Sequence, residues 1–192
     1  IKYNLFLKFS KTWLGFDKVK FFGYICENAT YRLDEERFES INKLPMPTSC
    51  KSMQSFLGSA LFFKPFVPDY SSLSAKLNEM THDRFVWDDK AWTDTRLEAF
   101  KDFKVALSSS FALFYPDYEL EWILRTDASL DGVGYILFQI KKKDNGEEEY
   151  QPIRCGSQKF SEQAQKWSTI EQEAYSVYYG VQDCQYYLRC KS

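Results

Sequence analysis

Asp127 is the acidic side chain best placed for chemistry, because it stands where two extended segments meet. Residues 120–126 favour a strand, residues 129–132 carry a turn signal, and residues 133–140 form a second apolar segment. This order predicts a β-hairpin with Asp127 at the end of its first strand. A carboxylate there, beside small residues, is accessible to a metal ion. The competing interpretation is that an aspartate before a turn satisfies backbone donors, and Asp131 in the turn is a weaker candidate for the same reason.

Glu173 is the second candidate acid. Ser168 and Glu171 form a capping-box pattern, which predicts a helix that begins near Ser168. Val177 and Val181 follow Glu173 by four and eight residues, so the pattern puts Glu173 on the apolar stripe of this helix. An unpaired carboxylate on a buried face costs free energy unless it binds a metal. A rim position, from which the carboxylate reaches water, is the equal alternative.

The first third of the sequence predicts a hairpin and a helix. Residues 5–26 favour short strands with residues 15–18 as the turn, and Gly23 suits a close backbone approach. Asp34 is expected to cap a helix that ends near Lys43, because prolines follow.

Thr48 or Ser49 is expected to cap a second helix with apolar positions at Met53, Phe56, Leu57, Ala60 and Leu61. Gly58 lowers the helix propensity, which indicates a close approach by another helix or by nucleic acid. Packing against the preceding helix is the commoner reason.

The middle of the chain predicts helices, and the last third predicts strands. Residues 69–90 indicate a short helix and a polar loop, with Phe85 and Trp87 alternating as in a brief strand. Thr93 or Asp94 begins the next helix, whose apolar positions are Leu97, Phe100, Phe103, Val105 and Leu107. Further on, residues 144–146 (Asp-Asn-Gly) predict a second hairpin, with a third strand over residues 150–158.

Composition indicates a folded protein and excludes few functions. Of 192 residues, 44% are hydrophobic and 18% aromatic, and the aromatic side chains could pack a core or stack on bases. The formal net charge of -2 does not indicate nucleic-acid binding by the whole chain. Five early lysines with few acids nearby could form a local basic strip or merely a solvated face: Lys2, Lys8, Lys11, Lys18 and Lys20.

Cysteine usage indicates a reduced, intracellular protein, in the cytoplasm or nucleus. The five cysteines form no C-x-x-C pair, and their spacing suits neither zinc nor a disulfide framework. No apolar run approaches membrane-spanning length, and the first residues lack a signal-peptide layout.

The stretch Thr126-Asp127-Ala128-Ser129, followed by Gly132-Val133-Gly134, resembles the start of the ribonuclease H domain of gypsy-type LTR retroelement polyproteins. Other stretches are similar to the same polyprotein in the same order. They are Phe21-Phe22-Gly23-Tyr24 (primer-holding hairpin), Phe56-Leu57-Gly58 with Phe66-Val67-Pro68 (thumb), Phe85-Val86-Trp87 with Ala99-Phe100-Lys101 (connection), and Ser168 to Glu173 (first ribonuclease H helix).

The resemblance implies an α+β fold, with a helical thumb and connection followed by a partial ribonuclease H-like mixed sheet with one packed helix. The implied parts are the end of the palm with the primer-holding hairpin (1–33), the thumb (34–68), the connection (69–118) and the N-terminal half of the ribonuclease H domain (119–192).

The resemblance also implies a site and its partners. Asp127 and Glu173 would be catalytic residues and ligands of Mg²⁺ or Mn²⁺ in the complete ribonuclease H site. RNA/DNA hybrid or duplex would be held by Phe22, Gly23, Tyr24, Lys51, Gly58 and Lys64. The remainder of the polyprotein would be the other partner, and no membrane is involved.

The sequence departs from the family pattern in three places. The polymerase Tyr-x-Asp-Asp motif and the later ribonuclease H acids do not occur, and Phe62-Phe63-Lys64-Pro65 stands where the family thumb has a Tyr-Tyr-Arg-Arg-like run. We therefore expect a fragment whose parent copies RNA into DNA and hydrolyses the RNA strand. The alternative is a non-catalytic nucleic-acid-binding or protein-interaction module from a decayed or co-opted element.

Overall fold

The first sheet gathers short strands from both ends of the helical region. In a computed structural model, which describes residue 6, residues 8–12 and residues 14–190, a 3-10 turn at Phe9–Lys11 precedes this sheet. All its pairings are antiparallel, in the order β1-β2-β3-β4. The strands are β1 (Lys18–Phe21), β2 (Tyr24–Glu27), β3 (Thr30–Leu33) and β4 (Leu113–Phe114).

Four helices lie between β3 and β4 along the chain: α1 (Glu35–Lys43), α2 (Cys50–Ala60), α3 (Tyr70–Glu79) and α4 (Asp94–Ser108). A 3-10 segment, Leu61–Phe66, continues α2. The predicted caps of α1 and α2 are confirmed, because Asp34 accepts from the backbone N–H of Glu36 and Ser49 forms a capping box with Ser52. No helix within the described residues combines the length and apolarity needed to cross a bilayer.

The second sheet contains β5 (Glu121–Ala128), β6 (Gly132–Lys142) and β7 (Glu148–Lys159), in that order and antiparallel. Both predicted hairpins are confirmed, and the basic end of β6 lies opposite the acidic start of β7. Helix α5 (Thr169–Cys190) follows a 3-10 turn at Ala164–Lys166 and packs on this sheet. The expected α+β class, with one helix on a partial ribonuclease H-like sheet, is confirmed.

Two local predictions are wrong. The turn of the first hairpin is Phe22-Gly23, where both residues have positive φ (49° and 82°), and not residues 15–18. This backbone matches the twist of the flanking strands, and glycine adopts it without strain. Residues 85–87 form no strand, and Phe85 and Trp87 pack on each other at 5.3 Å between ring centroids.

The helices and the first sheet share one aromatic-rich core. Phe63, Phe66 and Phe103 are fully buried in it, together with Leu33 of β3 and Leu113 of β4. The helical stripes are mostly confirmed, although Leu61 and Val105 are exposed.

The helical part docks directly on the second sheet. The Ser71 backbone N–H donates to the Ser157 hydroxyl (2.9 Å), and the Ser71 hydroxyl donates to the Ser157 carbonyl (2.9 Å). The Cys155 thiol donates to the Pro65 carbonyl at 3.0 Å. These bonds satisfy polar groups at the junction, so the two parts pack without leaving those donors unpaired.

The buried side of α5 differs from the predicted stripe. Val177 and Val181 are exposed to 51% and 41%, and Glu173 is exposed as well. The positions that face the sheet are Gln172, Ser176, Gly180 and Cys184. Small residues are required there, since a Cβ on Gly180 would already lie 3.2 Å from the side chains of Leu124 and Thr126. The helix therefore buries small residues at its closest approach to the sheet. The larger Tyr179, Tyr187 and Leu188 pack partly buried beside them, and Val177 and Val181 stay exposed.

Replacing Gly156 of β7 by alanine should destabilise the protein by about 1–3 kcal/mol. The new Cβ would lie 2.6 Å from the ring of Tyr135, which its own hydrogen bonds hold in place. Urea unfolding followed by circular dichroism measures the change. The matched control is Gly58→Ala in α2, where a Cβ meets nothing within 4 Å, and a better helix former should stabilise by about 0.5–1 kcal/mol. Equal destabilisation by both variants would contradict the packing argument.

Candidate active site and nucleic-acid surface

Asp127 lies at the next-to-last position of β5, is exposed, and pairs with Gly134 of β6. Ser129, and not Asp127, supplies the acceptor that closes the following turn. Its hydroxyl accepts from the backbone N–H groups of Asp131 (3.3 Å) and Gly132 (3.2 Å). The Asp127 carboxylate therefore stays available to a cation or to water.

A cavity of about 140 Å³ borders Asp127 on the side away from α5. Asp69, the residue before α3, also lines this cavity, and its carboxylate lies over Gly134 so closely that no side chain would fit there. Burial, and next the negative charge of Asp127, raise the pKa of Asp69. Sequence reasoning missed Asp69, because only the docking of the helical part on the sheet brings it to Asp127.

Glu173 projects from the second turn of α5. It precedes Gly180 by seven residues, which is two helical turns, so both residues lie on the same side of the helix. Seven residues span about 10 Å of helix, the length of about three strand residues. Because Tyr175 packs near Ala128 while Leu188 packs at the Trp122 end, α5 runs antiparallel to β5. Glu173 therefore lies near the end of β5 on the α5 side of the sheet. Asp127, between Thr126 and Ala128, faces the opposite side together with Asp69.

A polar network fixes α5 on the sheet. Arg154 of β7 donates to Asp183 of α5 through Nε (3.0 Å) and Nη2 (2.9 Å). The Tyr135 hydroxyl of β6 donates to the same carboxylate and accepts from Arg154 Nε at 2.9 Å. Burial, and then the bond to Asp183, raise the pKa of Tyr135 well above its ordinary value, so it remains a donor at all physiological pH values. The network sets the rotation of the helix and hence the direction of Glu173.

Asp127 and Glu173 offer hard oxygen ligands, which suit Mg²⁺ or Mn²⁺ better than soft metals. Within the described part of the chain, no group of three or more histidine, cysteine or acidic side chains is close enough to hold a metal ion. The donor chemistry thus fits a divalent cation, but the ligand count falls short of a two-metal centre. The convergence of the two carboxylates stays a prediction.

The predicted primer-holding residues occupy the tip and base of the first hairpin. Phe22 is 77% exposed at the turn beside Phe21, with 4.5 Å between their ring centroids. The side chain of Arg37 lies against Gly23, so a Cβ at Gly23 would be only 2.8 Å from Arg37 Nε. Tyr24 is stacked on Phe62 at 4.8 Å and packs against the core. Only Phe22 of the three is presented to solvent as a large side chain.

The other predicted nucleic-acid residues lie on or next to α2, and two of them border a groove. Lys51 is exposed in the first turn of α2, and Gly58 has nothing within 4 Å of a Cβ position. Helix packing is therefore not the reason for Gly58. Gly58 and Lys64 line a cavity of about 350 Å³, and Lys64 also lines a neighbouring one of about 250 Å³.

Two of the early lysines are paired with acids, so they do not contribute uncompensated charge to a basic strip. Lys18 pairs with Glu27 at 3.1 Å, and Lys20 pairs with both Asp34 and Glu36. The hydrogen bond to Asp34, followed by that to Glu36, raises the pKa of Lys20. These acids are distant in sequence but adjacent in the folded hairpin and α1. Lys2 lies outside the described residues.

The fold and its candidate site match a known class of protein. Residues 92–192 match the family described as the RNase H-like domain found in reverse transcriptase, and the chain belongs to this family. It is 27% identical over 195 residues to the retrovirus-related Pol polyprotein from transposon opus of Drosophila melanogaster. It is 28% identical over 185 residues to the transposon Tf2-3 polyprotein of Schizosaccharomyces pombe. These alignments cover 97% and 96% of this chain, but only 19% and 13% of the relatives' lengths.

Solved structures confirm the fold. A foamy viral protease-reverse transcriptase in complex with RNA/DNA hybrid superimposes with a TM-score of 0.71 at 20% identity, covering 88% of this chain and 22% of that one. The same protease-reverse transcriptase with double-stranded DNA gives 0.71 at 21% identity, covering 87% and 28%. The resemblance to retroelement Pol polyproteins is thereby confirmed, and the chain corresponds to a fragment of the reverse transcriptase–ribonuclease H region. Domains of this class generally depend on divalent metal ions.

Replacing Asp69 by asparagine should stabilise the protein more at pH 7 than at pH 4. The pKa of Asp69 is raised in the folded state, so its contribution is favourable below the unfolded pKa of about 4 and is lost as pH rises through the folded pKa. Urea unfolding of both proteins at the two pH values, with EDTA present, measures the difference. Asp131→Asn, an exposed turn acid, is the control. A gain from Asp69→Asn that is equal at both pH values would contradict the raised pKa of Asp69 in the folded protein.

Proposed function

We propose that this chain is the part of a retroelement reverse transcriptase–ribonuclease H that holds an RNA/DNA hybrid and supplies two carboxylates of the ribonuclease H site. The observation that supports the proposal is the exposed position of Asp127 next to the end of β5, where the turn supplies it with no partner. Glu173 would reach the same strand end from the α5 side. The parent protein would copy RNA into DNA and hydrolyse the RNA strand. No observation favours the non-catalytic alternative.

Asp127 and Glu173 would hold Mg²⁺ or Mn²⁺ in unequal roles. Asp127, on a strand and beside the small residues Ala128 and Ser129, would hold the ions. Glu173, at the rim of α5, would bind one of them. Divalent ions held there would supply activation of the attacking water and charge stabilisation of the leaving oxygen of the RNA strand. The remaining ligands would come from the parent polyprotein.

The surface for the hybrid would run from the hairpin tip along α2. Phe22 would pack against the sugar or base at one end, while Lys51 and Lys64 would contact phosphates near Gly58, whose missing side chain leaves room for a backbone. This assignment is supported by the solved relatives, one of which is described in complex with RNA/DNA hybrid and another with double-stranded DNA. Tyr24 and Gly23 would act by shaping the hairpin.

The proposed domain boundaries remain 1–33, 34–68, 69–118 and 119–192. The first three parts share a single aromatic core, which extends from β3 through α4 to β4. The fourth part has its own smaller cores, between the second sheet and α5. On this basis the thumb and connection would move as one body.

Mn²⁺ added to the 192-residue chain should broaden the amide NMR signals near Asp127 and Glu173 selectively, because a bound paramagnetic ion relaxes nearby nuclei. Asp127→Asn should abolish the selective broadening, and Glu173→Gln should weaken it. Asp144→Asn, at the exposed tip of the β6–β7 hairpin, is the control. Broadening that persists unchanged in Asp127→Asn would rule out the assignment.

The same 192-residue chain should not cleave RNA/DNA hybrid, since two carboxylates cannot hold two metals for in-line displacement.

Binding to an RNA/DNA hybrid should be weak, independent of sequence, and steeply dependent on salt. Lys51→Gln and Lys64→Gln should each reduce the slope of log affinity against log salt by about 1, because each lysine releases counterions from the phosphates. Fluorescence anisotropy over a potassium chloride series gives the slopes. Lys101→Gln, on the exposed side of α4, should leave the slope unchanged. An affinity that does not vary with salt would contradict the phosphate contacts.

A further inference from the structure

Two cavities beside α2 join into one groove. The first, of about 350 Å³, lies between α2 and α3, and the second, of about 250 Å³, lies between the 3-10 segment, β7 and α5. Leu61 and Lys64 line both, so the cavities meet at these two side chains. The second cavity is also bordered by Arg154 of β7 and by Tyr179 and Asp183 of α5. The groove therefore runs from the helical part onto the second sheet and its helix.

The charged lining of this groove is net positive. Lys64 and Arg154 are its cations, and Asp183 is the one acid among the residues that line the two cavities. Lys64 has no ion-pair partner in the part of the chain that the structure describes. The groove therefore favours an anionic ligand, although the formal net charge of the whole chain is -2.

Arg154 is held in position for such a ligand. Its Nε and Nη2 atoms bond Asp183 and Tyr135, and its guanidinium lies over the ring of Tyr187 at 5.9 Å. These contacts fix the plane of the guanidinium, while Nη1 has no hydrogen-bond partner among the described residues. The Nη1 donors thus remain for a ligand, and the half-buried side chain is open to solvent on that side of the pair. A guanidinium already fixed in this way loses little further freedom when it binds a phosphate.

We propose that this groove holds the sugar-phosphate backbone of one strand of the hybrid, with Lys64 and Arg154 as its phosphate contacts. The inference rests on the proposed function and extends the surface for the hybrid from α2 to α5. The first cavity adds neutral polar groups: Asn78 donates to Ser74 through Nδ2 (3.0 and 3.2 Å), so its carbonyl oxygen can accept from a ribose hydroxyl. An acidic peptide would satisfy the same charges, but the groove begins at Gly58, where the surface for the hybrid already passes.

Charges placed where the two cavities meet test the groove. Leu61→Glu should weaken binding of RNA/DNA hybrid by about fivefold or more at low salt, because the new carboxylate faces the phosphates. Leu61→Lys should tighten binding and increase the slope of log affinity against log salt by about 1. Val105→Glu and Val105→Lys are the matched controls, since Val105 of α4 is an exposed apolar helical residue (64%, against 57% for Leu61) that does not line the groove. Each control should stay within about twofold of the original chain.

Asp183→Asn tests Arg154 without removing it. The amide keeps an oxygen that accepts from Arg154 and Tyr135, but the groove loses its acid. Affinity for the hybrid should therefore increase by about threefold or more. A purely structural role of the Arg154–Asp183 pair would leave the affinity unchanged or lower it. In the original chain, the NMR signal of the Arg154 Nε–H should shift when hybrid is added, and far-UV circular dichroism checks the folding of every variant.

RNA duplex and DNA duplex, compared with the hybrid, identify the strand. A gain from Asp183→Asn with RNA duplex but not with DNA duplex assigns the RNA strand to the groove, and the reverse assigns the DNA strand.

Either of two results would overturn the proposal: a Leu61→Glu variant that binds as well as Val105→Glu, or an Arg154 signal that hybrid does not shift. The groove would then be left to an acidic segment of a protein partner. Lys51 lies outside the groove, so a reduced salt slope in Lys51→Gln would still support the proposed function in that case. Hybrid binding that responds neither to salt nor to Lys51→Gln would reject the proposed function as well.

Discussion

The close approach of α5 to the β5–β6 pair is the constraint on which the rest of the second half depends. Gly180 permits it, because a side chain of any size would meet Leu124 and Thr126. The network of Arg154, Asp183 and Tyr135 then fixes the rotation of the helix. Small residues at the contact and the polar network together define one rotation of α5 about its axis. A stripe of leucines would allow a wider range of rotations.

This rotation has two consequences for function. It places Glu173 on the α5 side of the sheet, near the end of the strand that carries Asp127, and it leaves Ile170, Val177 and Val181 exposed. The candidate metal site and the exposed apolar side of α5 thus arise from the same helix placement. A change that rotates α5 would alter both together.

The helical part contributes a carboxylate, that of Asp69, to the cavity beside Asp127. Its junction with β7, through Ser71 and Ser157, brings Asp69 against Gly134 and into the neighbourhood of Asp127. Two carboxylates from different parts of the chain therefore face one cavity. Such a repulsive pair is stable only because the surrounding core and the hydrogen bonds at the junction hold the segments together.

The sequence by itself determined most elements with local signals. The Asp34, Ser49 and Ser168 caps and the Asp144-Asn145-Gly146 turn were all predictable, because each depends on a few neighbouring residues. The motif around Asp127 likewise indicated its family before any fold was known. Periodicity failed on α5, where hydrophobicity alone could not reveal that close packing demands small residues.

Tertiary structure alone decided which charged groups meet. The partners of Lys20, the approach of Asp69 to Asp127 and the clamp on Asp183 each join residues far apart in sequence. No local pattern encodes such pairs, because they depend on how one element is rotated and docked on another. The residues that could do chemistry were visible in the sequence, whereas their geometry followed from packing.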